Sequence, residues 1–130
     1  MSEAPASFPL VSLSADQLEI LTEAKRVVIE TRSGERAIGT IIWVVVDDGD
    51  VFVRSVRGQS GKWYQRALAE PEVTLRVGDD GIRFTAVPAG DAESVERVSA
   101  ALRRKYPPGG SVDSMLQPEV LGTTLLLEPV

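Results

Sequence analysis

The sequence contains no cysteine and no histidine among its 130 residues. Without cysteine it can form neither disulfide bonds nor thiolate metal sites, and without histidine it lacks the commonest general base and zinc ligand. Ser-His-Asp, Cys-His and zinc hydrolases are therefore excluded, and we expect no metal site. Any chemistry must rest on carboxylates, hydroxyls, lysine, arginine or a bound cofactor.

Long hydrophobic runs are also missing. The longest apolar run, residues 41–46, is six residues long, whereas a membrane-spanning helix needs about 20. The N-terminal segment carries Glu3 where a secretory signal would carry basic charge, and no apolar stretch follows it. We therefore expect a flexible leader over residues 1–13, a single domain over residues 14–130, and a cytoplasmic protein with no membrane partner.

Positive charge is scarce overall but concentrated in one segment. The net charge is −5, from 14 cations and 19 acids, which argues against nucleic acid as a partner. Residues 51–69 nevertheless contain four cations and no acid, which leaves ten cations and 19 acids elsewhere. The four are Arg54, Arg57, Lys62 and Arg66.

Glycine and serine accompany these cations, and such residues allow backbone N–H groups to approach an anion. The segment is either an anion-binding loop or a solvated loop whose cations pair with acids elsewhere. Charge alone does not decide between them.

The pattern of turns and apolar residues predicts an α+β fold. Ser14 and Gln17 form a capping box for a helix over residues 15–24. Two further helices are predicted over residues 62–69 and 91–106, with a turn of helix near 115–116. Hairpin-linked strands with alternating apolar residues favour an antiparallel barrel. Six strands are predicted, at residues 27–33, 36–47, 51–55, 72–77, 82–87 and 123–128.

The sequence contains none of the familiar nucleotide-binding motifs, and its clustered aspartates do not form a recognisable catalytic motif. Gly58 and Gly61 are too close together for a P-loop, and Trp63 stands where that motif needs a hydroxyl. No Gly-x-Gly-x-x-Gly string is present. The aspartates at residues 47–50 and 79–80 lie at predicted hairpins, where their ordinary role is to cap the turn, although a metal or acid-base role is the alternative.

One ordered set of motifs resembles a known superfamily. A strand ends in Val53-Arg54-Ser55, a glycine-containing loop follows, and Lys62-Trp63-Tyr64 then opens a short helix. Ile29-Glu-Thr-Arg-Ser-Gly34, Gly39-Thr-Ile-Ile-Trp-Val44, Ala67-Leu-Ala-Glu-Pro71 and Arg104-Lys-Tyr106 complete the set. The chain resembles the flavin-binding split β-barrel superfamily, which includes pyridoxamine 5′-phosphate oxidases and deazaflavin-dependent nitroreductases. Within it, the chain is most similar to a family of small bacterial domains.

The resemblance implies a six-stranded antiparallel split β-barrel with two or three peripheral helices. It also implies a homodimer that binds FMN or the deazaflavin F420 in a groove at the dimer interface. The expected cofactor-binding residues carry basic, hydroxyl or small side chains for the phosphate, or apolar ones that wall the ring. The first group is Arg36, Thr40, Arg54, Ser55, Arg57, Gly58, Ser60 and Lys62, and the second is Ile41, Ile42 and Trp43.

Several assignments stay open at this point. Trp63 and Tyr64 either pack with one ring in the core and the other at a dimer surface, or contact the flavin or substrate directly. Arg66 is expected on the helix face, and Tyr106 at the end of its helix, with a hydroxyl that reaches the groove as the alternative.

The expected function is an oxidoreductase that acts on a small molecule. No catalytic residue is assigned, because the cofactor ring carries out hydride transfer. The alternatives are a non-catalytic carrier of a cofactor or phosphorylated ligand, and a barrel without a ligand.

Overall fold

A computed structural model describes residues 12–130 and shows one curled antiparallel sheet with helices around it. The strands are β1 (Val27–Ser33), β2 (Arg36–Ile42), β3 (Val45–Asp47), β4 (Asp50–Val53), β5 (Glu72–Val77), β6 (Asp80–Pro88) and β7 (Leu125–Pro129). The helices are α1 (Ala15–Glu23), α2 (Lys62–Ala69), α3 (Ala92–Lys105), α4 (Gly110–Ser114) and α5 (Pro118–Leu121), with a 3₁₀ turn at Gly58–Ser60. The sheet order is β2-β1-β5-β6-β7-β4-β3.

The sheet has seven strands, so the predicted number of six is wrong, while the α+β class and the antiparallel pairing are confirmed. The predicted strand over residues 36–47 breaks at Trp43 and Val44 into β2 and β3. These two strands lie at opposite edges of the sheet and are joined by only two residues. Because so short a link cannot cross a flat seven-stranded sheet, the sheet curls into a half-barrel.

The helix count also exceeds the predicted two or three. Within residues 12–130 there are five α-helices, because the segment expected to be mostly irregular contains α4 and α5. The predicted helix cap and the predicted hairpin turn are confirmed. Ser14 caps α1 in a complete capping box with Gln17, and the β3–β4 hairpin turns through Asp48 and Gly49, both at positive φ.

Two hydrophobic clusters hold the fold. The first fills the half-barrel with alternate residues of the strands, including Ile29, Leu75 and Phe84, each of which is fully buried. The second lies on the outer side of β3 and β4, where Phe52 packs against Leu102 of α3 and the neighbouring residues. The sheet is therefore covered on both faces where α3 crosses it.

No helix within residues 12–130 is long and apolar enough to cross a membrane. Residues 1–11 of the predicted leader lie outside the described residues.

Two side chains at the end of α3 donate hydrogen bonds to the backbone at the bend between β2 and β3. The Val44 carbonyl accepts hydrogen bonds from Lys105 Nζ at 2.7 Å and from Tyr106 Oη at 3.3 Å. Lys105 Nζ also donates to the Leu21 carbonyl at 3.1 Å, and the Tyr106 ring stacks on Trp43 with centroids 3.9 Å apart. Burial lowers the pKa of Lys105 to about 8 and raises the pKa of Tyr106 to about 12.

A buried guanidinium joins the barrel to the outer helices. Arg54, directly after β4, is 2% exposed. It donates to Thr124 Oγ1 at 2.9 Å, to Ser99 Oγ at 3.1 Å and to the Val95 and Met115 carbonyls, each at 3.0 Å. Burial, and next the nearby Arg103 charge, lower the pKa of Arg54 to about 10. Arg54 thus connects β4 to β7, α3 and α4, and none of these four acceptors is a carboxylate.

The depressed pKa of Lys105 predicts a pH-dependent stability. Lysine in the unfolded chain keeps its ordinary pKa of 10.5, so above about pH 8 the unfolded chain binds more protons than the folded one. The contribution of this group to the free energy of unfolding therefore rises with pH from about 8 towards 10.5. Urea unfolding of wild type and Lys105→Met at pH 7 and 9.5 measures it, because Tyr106 is present in both proteins and its contribution is common to them. An equal change in both proteins would contradict the prediction.

Arg54→Met should lower the free energy of unfolding by about 2 kcal/mol, because the Val95 and Met115 carbonyls lose their donor in a buried setting. The matched control is Arg83→Met on β6, whose exposed side chain makes no hydrogen bond or ion pair with the described residues. The control should stay within about 0.5 kcal/mol of wild type in denaturant unfolding. Equal stability of the two variants would show that Arg54 does not support the fold.

Candidate functional site

The loop between β4 and α2 is folded tightly against α5. The Ser55 N–H donates to Thr123 Oγ1 at 3.1 Å, and Ser55 Oγ donates to the Gly58 carbonyl at 2.8 Å. Gly58 is buried with φ +63°, and a Cβ there would lie 3.0 Å from the Glu119 carbonyl oxygen. Only glycine fits this position without strain.

The loop ends at an uncapped helix terminus. Gly61 precedes α2 without a side-chain cap, and a Cβ on Gly61 would collide with Ser55 Oγ. The first N–H groups of a helix lack partners within it and carry partial positive charge. Exposed Arg57 and Lys62 flank this terminus, and Ser60 Oγ donates to the Arg57 carbonyl at 2.8 Å, which leaves its lone pairs free. We call Arg57, Ser60, Gly61 and Lys62 the anion seat.

Of the two alternatives for the loop, pairing of its cations with acids is not what the structure shows within residues 12–130. The ion pairs there are Arg76 with Glu30, Arg97 with Asp47 and Asp50, and Arg104 with Asp47. Arg66 instead donates to Thr31 Oγ1 at 2.7 Å. The cations of the anion seat therefore face solvent without a counter-charge from the described part of the chain.

A cavity of about 670 Å³ opens beside the anion seat. Its size falls within the usual range of small-molecule sites, about 300–1,000 Å³. It is bounded by the end of β2, the loop after β4, the start of α2, and α4. The lining residues are Thr40, Ile41, Ile42, Trp43, Arg54, Ser55, Val56, Arg57, Ser60, Gly61, Lys62, Trp63, Ser111, Ser114 and Met115.

All the charged residues that line the cavity are cations. The lining contains three cations, five hydroxyl side chains and no aspartate or glutamate, although acids outnumber cations in the chain by 19 to 14. The remaining walls are mostly apolar and include two tryptophans. Such a donor set fits a ligand with an anionic group and an apolar or aromatic body, and an unpartnered phosphate would find charged donors here.

Most of the residues selected from the sequence line this cavity. The structure brings ten of the predicted cofactor-binding residues together: Thr40, Ile41, Ile42, Trp43, Arg54, Ser55, Arg57, Ser60, Lys62 and Trp63. Two predicted residues do not line the cavity. Arg36 lies exposed at the start of β2, and Gly58 is buried on the side of the loop that contacts α5.

Two of these residues use most or all of their donors inside the protein. Arg54 donates four of its five guanidinium N–H groups to protein acceptors, and the Ser55 hydroxyl donates to the Gly58 carbonyl. These side chains shape the cavity wall, and Arg54 adds a buried positive charge to it. Direct contacts to an anion fall to the anion seat.

The aromatic residues do not leave one ring in the core and the other at the surface. Trp63 and Tyr64 are both buried in the barrel core, with exposed fractions of 6% and 8%, so neither ring remains at the surface. Trp63 also lines the cavity. The Tyr106 hydroxyl binds the Lys25 carbonyl at 2.6 Å rather than reaching the cavity, while its ring supports Trp43, which does line it.

Five lining residues are not among those predicted from the sequence: Val56, Gly61, Ser111, Ser114 and Met115. Gly61 had a detectable signal, since a glycine directly before a helix can leave the terminus open for an anion. The two serines had none, because they lie about 50 positions after the loop they face. Only the path of the chain after α3 brings them to the cavity.

Residues 17–127 match the model of a family described as an uncharacterized protein conserved in bacteria, DUF2255. The match covers most of the chain and includes every residue that lines the cavity. No curated protein sequence matches significantly.

Solved structures with this fold include proteins of several kinds. The heme storage protein HutZ from Vibrio cholerae has a TM-score of 0.67 at 14% identity, over 92% of each chain. An F420-H2 dependent reductase has a TM-score of 0.61 at 18% identity, over 80% of this chain and 94% of that one. An FAD-binding protein from Mesorhizobium loti has a TM-score of 0.57 at 13% identity, over 91% of each chain.

At these identities the structural matches show the fold alone, and that fold is the one expected from the motifs between residues 27 and 106. The chain belongs to the bacterial family DUF2255 and has the fold of the flavin-binding split β-barrel superfamily.

Proposed function

We propose that the cavity binds FMN or the deazaflavin F420 and that the protein is an oxidoreductase acting on a small molecule. The observation that carries this proposal is the lining of the cavity. Three cations and no acid surround it, next to an uncapped helix terminus, in a chain with net charge −5. An anionic ligand is the partner that this arrangement attracts.

Different residues of the chain bind the phosphate and the ring of the cofactor. Arg57 and Lys62 supply charged donors to the phosphate, and the open end of α2 adds backbone N–H groups. The Ser60 hydroxyl can donate to the phosphate once its proton turns away from the Arg57 carbonyl. Thr40, Ile42 and Trp43 at the end of β2, with Trp63 of α2, bound the space for the ring. The bound ring supplies hydride transfer. No side chain is assigned a catalytic role.

The choice of flavin over haem rests on the residues available. The chain has no histidine and no cysteine, which are the axial ligands of most haem proteins. Charged donors without carboxylates also suit a phosphate. The resemblance in fold to a heme storage protein therefore carries no haem proposal here.

The same site supports a homodimer. Ile41 and Val56 are 68% and 53% exposed, and both lie at the cavity. Ile41 belongs to β2, an edge strand of the sheet whose outer side has no strand partner among the described residues. A second copy of the chain would cover these apolar side chains and narrow the open side of the cavity.

Binding of a phosphate-bearing cofactor should depend on the anion seat. Lys62→Ala and Arg57→Ala should each weaken FMN or F420 binding by about 1–3 kcal/mol, the cost of a lost charged hydrogen bond. Arg83→Ala, which removes the same charge from an exposed position on β6, is the control and should leave affinity unchanged. Fluorescence titration measures all three.

Absorption spectra and turnover test the function itself. Purified protein should show a flavin or deazaflavin band after incubation with the cofactor, and the bound reduced cofactor should be oxidised when an electron acceptor is added. Binding without turnover would favour a carrier. Failure of wild type to bind either cofactor would overturn the assignment.

Ile41→Glu should disrupt the dimer, because it places a charge in the apolar contact beside the cavity. Leu68→Glu on α2 is the matched control, since Leu68 is also exposed, at 46%, but does not line the cavity. Light scattering after size-exclusion chromatography should give a dimer for wild type and Leu68→Glu, and a monomer for Ile41→Glu. A monomeric wild type would refute the homodimer.

A further inference from the structure

Helix α4 forms a second polar wall of the cavity, and none of the cofactor-binding residues predicted from the sequence lies on it. Ser111 and Ser114 line the cavity together with Met115, the residue that ends the helix. Positions three apart lie on one face of a helix, so the two hydroxyls are neighbours on the same side. They come from a different part of the chain than the anion seat.

The protein fixes this wall in place from the opposite side. Val112 and Met115 are each 4% exposed and pack in the second hydrophobic cluster. Arg54 donates to the Met115 carbonyl at 3.0 Å, so the buried guanidinium holds the end of α4 against the barrel. Arg54 is a positioning residue for α4, and the serine face is left towards the cavity.

The two hydroxyls have hydrogen-bonding capacity to spare. The Ser111 hydroxyl is exposed and has no protein partner among residues 12–130. Ser114 Oγ donates to the Gly110 carbonyl at 2.9 Å and keeps its lone pairs as acceptors. Ser111 can therefore donate or accept, and Ser114 can accept, without adding charge to this wall.

We propose that Ser111 and Ser114 select the ligand by hydrogen bonding to a neutral polar edge that carries both N–H and carbonyl groups. This inference rests on the proposed function, since the anion seat holds the ligand's phosphate. The ligand class is then a phosphate-bearing heteroaromatic compound whose ring has an amide-like edge. A plain organic phosphate would satisfy the anion seat but leave α4 without a partner.

The test separates the two walls with three probes: FMN, riboflavin and inorganic phosphate. The double variant Ser111→Ala/Ser114→Ala should bind FMN and riboflavin about tenfold more weakly, the loss expected for one to two neutral hydrogen bonds, and bind phosphate normally. Lys62→Ala should bind phosphate and FMN more weakly, while its affinity for riboflavin should change little. Ser33→Ala, an exposed serine in the β1–β2 hairpin, is the matched control.

Substitution by threonine distinguishes the loss of the hydroxyl groups from a change in the structure of α4. Ser111→Thr/Ser114→Thr keeps both hydroxyls and should restore most of the FMN affinity lost in the alanine double variant. If the alanine variant binds FMN as wild type does, or if it loses phosphate binding as well, the role of α4 is wrong, and the result for Lys62→Ala decides the anion seat separately. If wild type binds neither FMN nor F420, tested in the same assay, the proposed function fails and this inference fails with it.

Discussion

The buried guanidinium of Arg54 is the interaction on which the other parts of the structure depend. Its hydrogen bonds reach Thr124 before β7, Ser99 and Val95 of α3, and Met115 at the end of α4. Placing a charge in the interior is costly unless its donors are satisfied. Here neutral oxygens accept hydrogen bonds from four of the five guanidinium N–H groups, so the positive charge is held in the cavity wall without a carboxylate to cancel it.

This arrangement gives the protein two electrostatic regions. Among the described residues, the carboxylates of Glu30, Asp47 and Asp50 are paired with arginines of α3 and β5, as in the Asp47 contacts with Arg97 and Arg104. Those contacts lower the pKa of Asp47, with the Arg97 hydrogen bond as the largest cause. The cavity has the opposite character, since cations line it without acids. An acidic protein therefore has a locally positive cavity, which is the charge that the proposed anionic ligand needs.

Local patterns predicted the strands, turns and caps with good accuracy because the cause lies within a few residues. The capping box of Ser14 and the Asp48-Gly49 hairpin are of this kind. The strand over residues 36–47 was predicted as one piece because its apolar run has no local break. The break arises at Trp43 and Val44 because the chain changes partner from β1 to β4, and Lys105 and Tyr106 stabilise the bend from about 60 residues away.

The sequence by itself determined the chemistry that is open to this protein. It excluded histidine and cysteine chemistry, and it identified the basic segment that ends at Lys62, because charge, glycine and hydroxyl content are visible in consecutive residues. Tertiary structure decided which of those residues face the cavity. It turned Arg54 inward onto acceptors 41 to 70 positions away and brought Ser111 and Ser114 to the cavity. Such contacts depend on how helices pack against a curled sheet, and no local pattern encodes that packing.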